Sequence, residues 1–185
     1  SLANYLGYKH VTNEIENWIS VMQKGCQRMW NDKVNAFTAY DRRNNCFSNA
    51  ITNASMLSLY AGIGTKFQKK HTIDHCERIL NTCSYGMPSL DPHHHSFESK
   101  RYWRGPIWCV MNYMIAIGLE EEGENRLAKK IKDDTMKLIE SHGMAEYFDP
   151  YSGKGLGGKD FSWTAAIYLE LCKDTVDINS INNIM

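Results

Sequence analysis

Apolar residues recur at spacings of three and four from Ile15 through Trp18, Ile19, Met22, Cys26 and Met29 to Trp30, one stripe of a helix of about five turns. Thr12 and Asn13 are placed to cap its start. Residues 34–41 alternate only loosely and are too polar for a buried strand, so they predict a short extended excursion. A second helix opens at Asn53, carries Met56, Leu57, Leu59, Tyr60 and Ala61, and stops at Gly62 and Gly64. The third runs from Lys66 to Thr82, with Ile73, Cys76, Ile79, Leu80 and Cys83 as its stripe. A long loop follows from Ser84 to Gly105, containing Gly86, Pro88, Pro92 and three consecutive histidines; long structureless segments in compact domains are often functional. Pro106 suits the first position of a fourth helix, where its missing N–H costs nothing. That helix, Ile107 to Leu119, is apolar on most sides and should be buried all round. The fifth, Glu124 to Ser141, turns Leu127, Ile131, Leu138 and Ile139 inward and Lys129, Lys130, Lys132, Asp133, Asp134 and Lys137 to water. A second loop, His142 to Asp160, leads into a sixth helix, Phe161 to Cys172. The segment Asp174 to Met185 reads as a polar, loosely held tail.

Solvent-facing amphipathic helices (first, third, fifth) thus alternate with apolar ones (second, fourth, sixth) in units of about fifty residues. The pattern predicts an all-α architecture of helical hairpins, stacked as a solenoid or closed as a toroid, with one set of helices inside and the other outside. The loops entering the inner helices then gather on one face, and the two richest loops of this chain are among them.

Charge adds exclusions. Lys and Arg number 21 against 21 Asp and Glu in 185 residues, so neither a basic nucleic-acid surface nor an acidic tail is expected. No apolar run approaches the roughly 18 residues of a membrane helix, and the first ten residues lack a charged-then-apolar signal pattern. Cysteines at 26, 46, 76, 83, 109 and 172 contain no C-x-x-C pair, and Cys76 and Cys83 lie two helical turns apart, too far to bridge. They read as reduced, mostly buried thiols in a reducing compartment, the cytoplasm.

Candidate chemistry concentrates in the two loops. Arg101-Tyr102-Trp103-Arg104-Gly105-Pro106-Ile107-Trp108 places aromatic rings where pyranose C–H faces pack and arginines that donate to hydroxyls. The competing reading makes Trp103 and Trp108 core residues at a helix end. In the second loop Glu146 stands among Tyr147, Phe148 and Tyr151, beside Gly153, Gly155, Gly157 and Gly158. Such a carboxylate serves as a general base, or is an ordinary loop acid; Asp149, before Pro150, fits a turn. The spacing G-x-G-x-x-G is met at Gly153, Gly155 and Gly158, yet a dinucleotide or phosphate loop must leave a buried strand, and Asp160 would repel phosphate. These glycines fit a backbone bent close to some other group. His93, His94 and His95 are adjacent and rarely converge on one ion, and His71 and His75 lack a third ligand, so no metal site is expected. They read as solvated loop and as the exposed flank of the third helix.

The two ordered motifs, Tyr102-Trp103-Arg104-Gly105-Pro106-Ile107-Trp108 with Asn112-Tyr113, and Glu146-Tyr147-Phe148-Asp149-Pro150 with Gly157-Gly158-x-x-Phe161-Ser162-Trp163-Thr164-Ala165-Ala166, resemble the C-terminal half of the glycoside hydrolase family 63 catalytic domain. Trp30, Tyr40-Asp41 and Ala54-Ser55-x-Leu57-x-Leu59-Tyr60-Ala61-Gly62 extend the resemblance over nearly the whole chain. It implies an (α/α)6 toroid, of which residues 1–173 supply three of six hairpins, and an inverting α-glycosidase without cofactor. Glu146 is then the general base, activating water against the anomeric carbon, with a separate acid about 6.5–9.5 Å away. By the same match Tyr102, Trp103 and Trp108 line a sugar subsite and Trp163 packs beneath the base. Arg104 and Tyr147 complete the substrate-contacting set, with fixing of its own loop as the alternative role for Arg104.

The family's acid is an Asp in an Asp-rich segment followed by Ser-Pro, and nothing like it occurs in Ser1 to Asn53. Cys109 also stands where relatives carry Pro or another small residue. The expectation is therefore a fragment that binds a glucosyl or mannosyl glycoside, needs an N-terminal half to supply the acid, and is silent alone. The rivals are a non-catalytic carbohydrate-binding or scaffolding remnant, and a trehalase-like enzyme or a phosphorylase on the same toroid with Lys154 and Lys159 as phosphate ligands.

Overall fold

The structure is a computed structural model that describes residues 2–173; the predicted tail, 174–185, lies outside them. A short helix α1 (Leu2–Tyr5) precedes α2 (Lys9–Gln27). Two hairpins follow, β1 (Trp30–Asn31) with β2 (Ala36–Phe37) and β3 (Tyr40–Asp41) with β4 (Cys46–Phe47), each antiparallel. Trp30 therefore starts a strand instead of ending the first helix, and the extended excursion is two hairpins. Each turns through four residues whose last, Asn35 or Asn45, has positive φ, the conformation asparagine tolerates best after glycine.

Beyond the hairpins the chain alternates as its pattern requires. Helices α3 (Asn53–Tyr60), α5 (Cys109–Glu121) and α7 (Ser162–Lys173) are apolar, and α4 (Lys66–Leu80) and α6 (Asn125–His142) are amphipathic. Helix α5 packs against α3 on one side and α7 on the other, with α4 and α6 laid over this row. Capping boxes at Thr52/Ser55 and Thr65/Gln68 fix the starts of α3 and α4.

The core has two clusters. Met56, Leu59, Cys76, Ile79, Leu80, Ile115, Leu119, Leu127 and Ile131 fill the space between α3, α4, α5 and α6. Ile107, Cys109, Leu138, Ile139, Ala145 and Phe148 form the second, beneath the loops. Each fully buried aliphatic side chain contributes about 1.5–3 kcal/mol. Where α3 crosses α5, a Cβ on Gly118 would lie 2.8 Å from the Leu59 carbonyl carbon and 2.9 Å from Tyr60 Cα, so the two backbones meet there.

Several expectations are corrected. The fourth helix starts at Cys109, not at Pro106, because Ile107 is extended and exchanges both backbone hydrogen bonds with Phe148 (2.8 and 3.0 Å). Its burial is one-sided: Asn112, Ile115, Ala116, Gly118 and Leu119 are buried, while Val110, Met111, Tyr113, Met114 and Ile117 are half-buried. Of the cysteines only Cys76 and Cys109 are buried, and Cys46 is exposed. His71 and His75 are half-buried instead of forming a solvated flank: His71 packs edge-on against Phe67, and His75 Nε2 lies 2.9 Å from the Val34 carbonyl oxygen.

The outermost elements are poorly covered. Helix α2 has no buried residue, and Trp18, Ile19, Val21 and Met22 along it are exposed, Trp18 by 57% and Met22 by 68%. On α7, only Thr164 and Leu171 are buried.

Candidate active site

Backbone pairing stitches three loop segments into one rim. Pro88 bridges Ile107, and Ile107 bridges Phe148; Ser89 N–H donates to the Pro106 carbonyl at 2.9 Å, and Gly105 N–H donates to Ser89 Oγ at 2.9 Å. Asn112, wholly buried in α5, locks this rim from below: its Oδ1 accepts from Met87 N–H at 2.7 Å and its Nδ2 donates to the Met87 carbonyl at 2.8 Å. The two loops singled out in the sequence thus lie side by side.

On the rim Tyr102, Trp103, Trp108 and Tyr147 form one aromatic cluster. Trp103 and Trp108 stack face to face, centroids 4.0 Å apart and planes within 2°. Tyr147 lies 5.2 Å from Trp108, and Tyr102 stands edge-on to both, at 5.1 Å from Trp108 and 5.5 Å from Tyr147. Trp108 is buried, so it is the core residue of the pair, whereas Tyr102 and Trp103 keep about half their surface in solvent (50% and 42%). Tyr102 holds a positive φ of 39°, a sparsely populated conformation for an aromatic residue. Its carbonyl accepts from Trp108 Nε1 at 3.1 Å, which ties the strained turn to the buried indole.

Arg104 is half-buried and pairs with Glu98 in the same loop. The Arg104 carbonyl also accepts from Glu98 N–H at 2.8 Å. Its contacts are thus those of a residue that fixes the loop, although its Nε is buried without a hydrogen-bond partner among the described residues.

The second loop is a hairpin, β5 (Tyr147–Phe148) with β6 (Gly155–Leu156). Asp149 is the turn residue its place before Pro150 implied: buried, it accepts from Ser152 Oγ at 2.9 Å and from Tyr151 N–H at 3.2 Å. Gly157 and Gly158 approach Glu146, whereas Gly153 lies against His142 and Tyr85 and Gly155 against Ala145. Gly158 N–H donates to Glu146 Oε2 at 3.0 Å, and Glu146 N–H donates to the Gly158 carbonyl at 2.9 Å. Thr164 Oγ1, buried at the start of α7, donates to the Ala145 carbonyl at 2.7 Å, so the segment bearing the carboxylate is fixed from both sides. Neither Thr164 nor the Gly158 N–H was a sequence candidate; the polar Thr among the apolar residues of α7 was the available signal.

Trp163 has no ring contact with the aromatic cluster among the described residues and pairs with Phe161 at 5.7 Å, 56% exposed. Beside the glycine turn lies a cavity of about 440 Å³ lined in part by His142, Lys154, Lys159 and Asp160. Among the described residues no group of three His, Cys, Asp or Glu could hold a metal ion, and no helix is long and apolar enough to cross a membrane. Burial pushes the thiols of Cys76 and Cys109 up to about 12, which keeps both neutral.

The chain is similar to known proteins. The sequence model of the mannosylglycerate hydrolase MGH1-like glycoside hydrolase domain matches residues 1–164. The chain is 34% identical over 157 residues to mannosylglycerate hydrolase MGH1 of Selaginella moellendorffii, covering 85% of this chain and 32% of that protein. It is 36% identical over 156 residues to the mannosylglycerate hydrolase of Thermus thermophilus, covering 84% and 38%. The crystal structure of a GH63 mannosylglycerate hydrolase from Thermus thermophilus in complex with glucose superposes with a TM-score of 0.81 at 34% identity, over 85% of this chain and 41% of that one. Neutral trehalase from Saccharomyces cerevisiae shares the fold, with a TM-score of 0.62 at 21% identity, over 83% and 29%. The chain therefore spans well under half the length of these relatives, and its three hairpins are a part of an (α/α)6 toroid. With most of its length matched by the family, and with the toroid's helical hairpins in place, the chain belongs to the mannosylglycerate hydrolase MGH1-like glycoside hydrolase family, of the family 63 type.

Proposed function

We propose that this chain is the C-terminal half of the catalytic toroid of an inverting glycosidase, residues 1–173 forming the half-toroid and 174–185 a tail, and that Glu146 is its general base. One observation carries the reading: a carboxylate fixed by a backbone N–H stands on the same rim as a half-exposed aromatic cluster. Tyr102 and Trp103 offer the apolar surface on which a pyranose ring packs, and Trp108 and Tyr147 back them. Arg104 holds the loop that presents them. Trp163, at the start of α7, is assigned the place beneath the base. A small glucosyl or mannosyl glycoside is the substrate.

Inversion needs a second carboxyl group about 6.5–9.5 Å from the base, with space for water between them. In this reading that acid belongs to the remaining part of the toroid, which covers the exposed stripe of α2. The isolated chain binds sugar at most weakly and turns nothing over. The reading of the six cysteines as reduced thiols supports a cytoplasmic location.

The test is made on the complete protein. Glu146→Gln keeps the shape and removes the base, and should lower kcat by about 10²–10⁴-fold with folding unchanged. Full retained hydrolysis would overturn the assignment, and product formation that depends on inorganic phosphate would move the enzyme to the phosphorylases.

A further inference from the structure

We propose that Gly157 and Gly158 form a clamp that selects which oxygen of Glu146 acts, so that Gly157 is a positioning residue for the reaction; the proposal rests on Glu146 being the base. Glu146 and Gly158 are joined by two hydrogen bonds. The Glu146 N–H donates to the Gly158 carbonyl at 2.9 Å, and the Gly158 N–H donates to Glu146 Oε2 at 3.0 Å. The first bond sets the spacing of the two backbones. The second occupies one carboxylate oxygen, and Oε1 carries no hydrogen bond among the described residues.

Gly157 makes this geometry possible. Its φ is +73°, a conformation that L side chains rarely adopt. A Cβ there would lie 2.6 Å from Glu146 Oε2, 2.6 Å from Tyr147 Cε1 and 2.9 Å from Glu146 Cβ. Position 157 thus touches the base and the neighbouring aromatic ring at once, and only a hydrogen atom fits. A Cβ on Gly158 would meet Oε2 at 3.6 Å, an ordinary contact. Two adjacent glycines therefore have different reasons to be glycine.

The chemical consequence follows from how a base must be aimed. A carboxylate held by one oxygen keeps the other at a fixed position and direction, and alignment of the reacting groups is a large part of what an enzyme supplies. With Oε2 bound to the backbone, Oε1 is the oxygen that accepts the proton of the attacking water, while the water oxygen forms its bond to the anomeric carbon and the leaving oxygen takes its proton from the separate acid. A carboxylate pushed off the Gly158 N–H would rotate and present the wrong oxygen. Tyr147, which the same Cβ would meet, backs the sugar-packing rings Tyr102 and Trp103 but does not make that surface, so sugar binding would change less than turnover.

The test compares Gly157→Ala, Gly158→Ala and Glu146→Gln in the complete enzyme, with folding followed by thermal denaturation and kcat and KM measured separately. Gly157→Ala should lower kcat at least tenfold with KM within about threefold, and Gly158→Ala should lose far less. Should Gly157→Ala fail to fold, exchange of the Gly158 amide for an ester by nonsense suppression deletes the N–H without adding an atom. That exchange should lower kcat about tenfold, as for one hydrogen bond to a charged group, again with KM held. Wild-type kcat in Gly157→Ala or in the ester, or equal losses at the two glycines through KM, overturns the clamp. Loss of turnover in Glu146→Gln alongside a normal Gly157→Ala removes the clamp and leaves the base assignment standing; turnover retained in Glu146→Gln removes both.

Discussion

Asn112 is a polar residue on the most apolar helix of the chain, wholly buried, and it spends its amide on the backbone of Met87, 25 residues earlier. Replacing it with leucine keeps the branched shape but strands a buried N–H and a buried carbonyl, each worth about 1–3 kcal/mol when unpaired. Asn112→Leu should therefore destabilise the protein by about 3 kcal/mol in urea denaturation; a cost below about 1 kcal/mol would show that the rim does not depend on this amide. A second anchor of the same loop is ionic. Asp91 is paired by the two terminal nitrogens of the Arg78 guanidinium, at 2.5 and 3.2 Å. Burial pushes the Asp91 carboxyl up, but the Arg78 hydrogen bonds and the His93 backbone N–H outweigh it, so the carboxyl sits below its ordinary value. A depressed folded value contributes stability that is complete above the unfolded value of about 3.9 and is lost as pH falls through the folded one. Arg78→Met should accordingly cost stability at pH 7, and its gap to wild type should close as pH drops below about 4; a gap constant down to about pH 3 would exclude the ion pair as its source. Residue types such as these are visible in a sequence, but their partners are not. Glu146 stood out as a candidate because it stood alone among aromatic residues, whereas the N–H that holds it belongs to a glycine and has no side chain to announce it.

Gly118 shows the same limit at the scale of an element. Helix propensity alone makes Gly118→Ala favourable by about 1 kcal/mol, since glycine is the costlier residue in a helix interior. The added methyl would instead be driven into the backbone of α3 at Leu59 and Tyr60, which has no rotamer with which to yield. Overpacking of this kind costs about 1–3 kcal/mol, so Gly118→Ala should lower the unfolding midpoint, and a stabilised variant would mean that the two helices separate freely. Periodicity gave the existence and nature of α3 to α7, because each buries a face that repeats every three or four residues. It misplaced the start of α5 for a definable reason. Pro106 satisfies the local rule for a first helical residue, but Ile107 is claimed by Phe148 across the rim, and a pair of long-range backbone hydrogen bonds outweighs a local preference. The hairpins at 30–47 and 147–156 escaped for a related reason: two-residue strands are too short to show an alternation, and only Asn35 and Asn45 marked the turns of the first two.

At the scale of the whole molecule the exposed stripe of α2 is the feature that needs a partner. Trp18, Ile19 and Met22 were expected to face inward on one side of a solvent-facing helix, and with Val21 they lie open to solvent among the described residues. Next to the C-terminal end of this helix a groove of about 400 Å³, lined by Cys26, Met29, Phe37, Leu57 and Ile63 among others, is also open. Contiguous apolar surface of this kind marks a contact; the chain spans 32–38% of its curated relatives, and in the function proposed above the rest of the toroid makes that contact. The two states can be told apart by the same substitutions. In the 185-residue chain, Trp18→Ala and Met22→Lys remove only solvated side chains and should leave stability within about 0.5 kcal/mol of the parent. If the rest of the proposed toroid covers the stripe, the same side chains are buried in the complete protein, and each substitution should cost about 1.5–3 kcal/mol there. Equal and small effects in both would mean that α2 stays in solvent and that the toroid closes elsewhere. A large cost already in the short chain would mean that its stripe is covered from within.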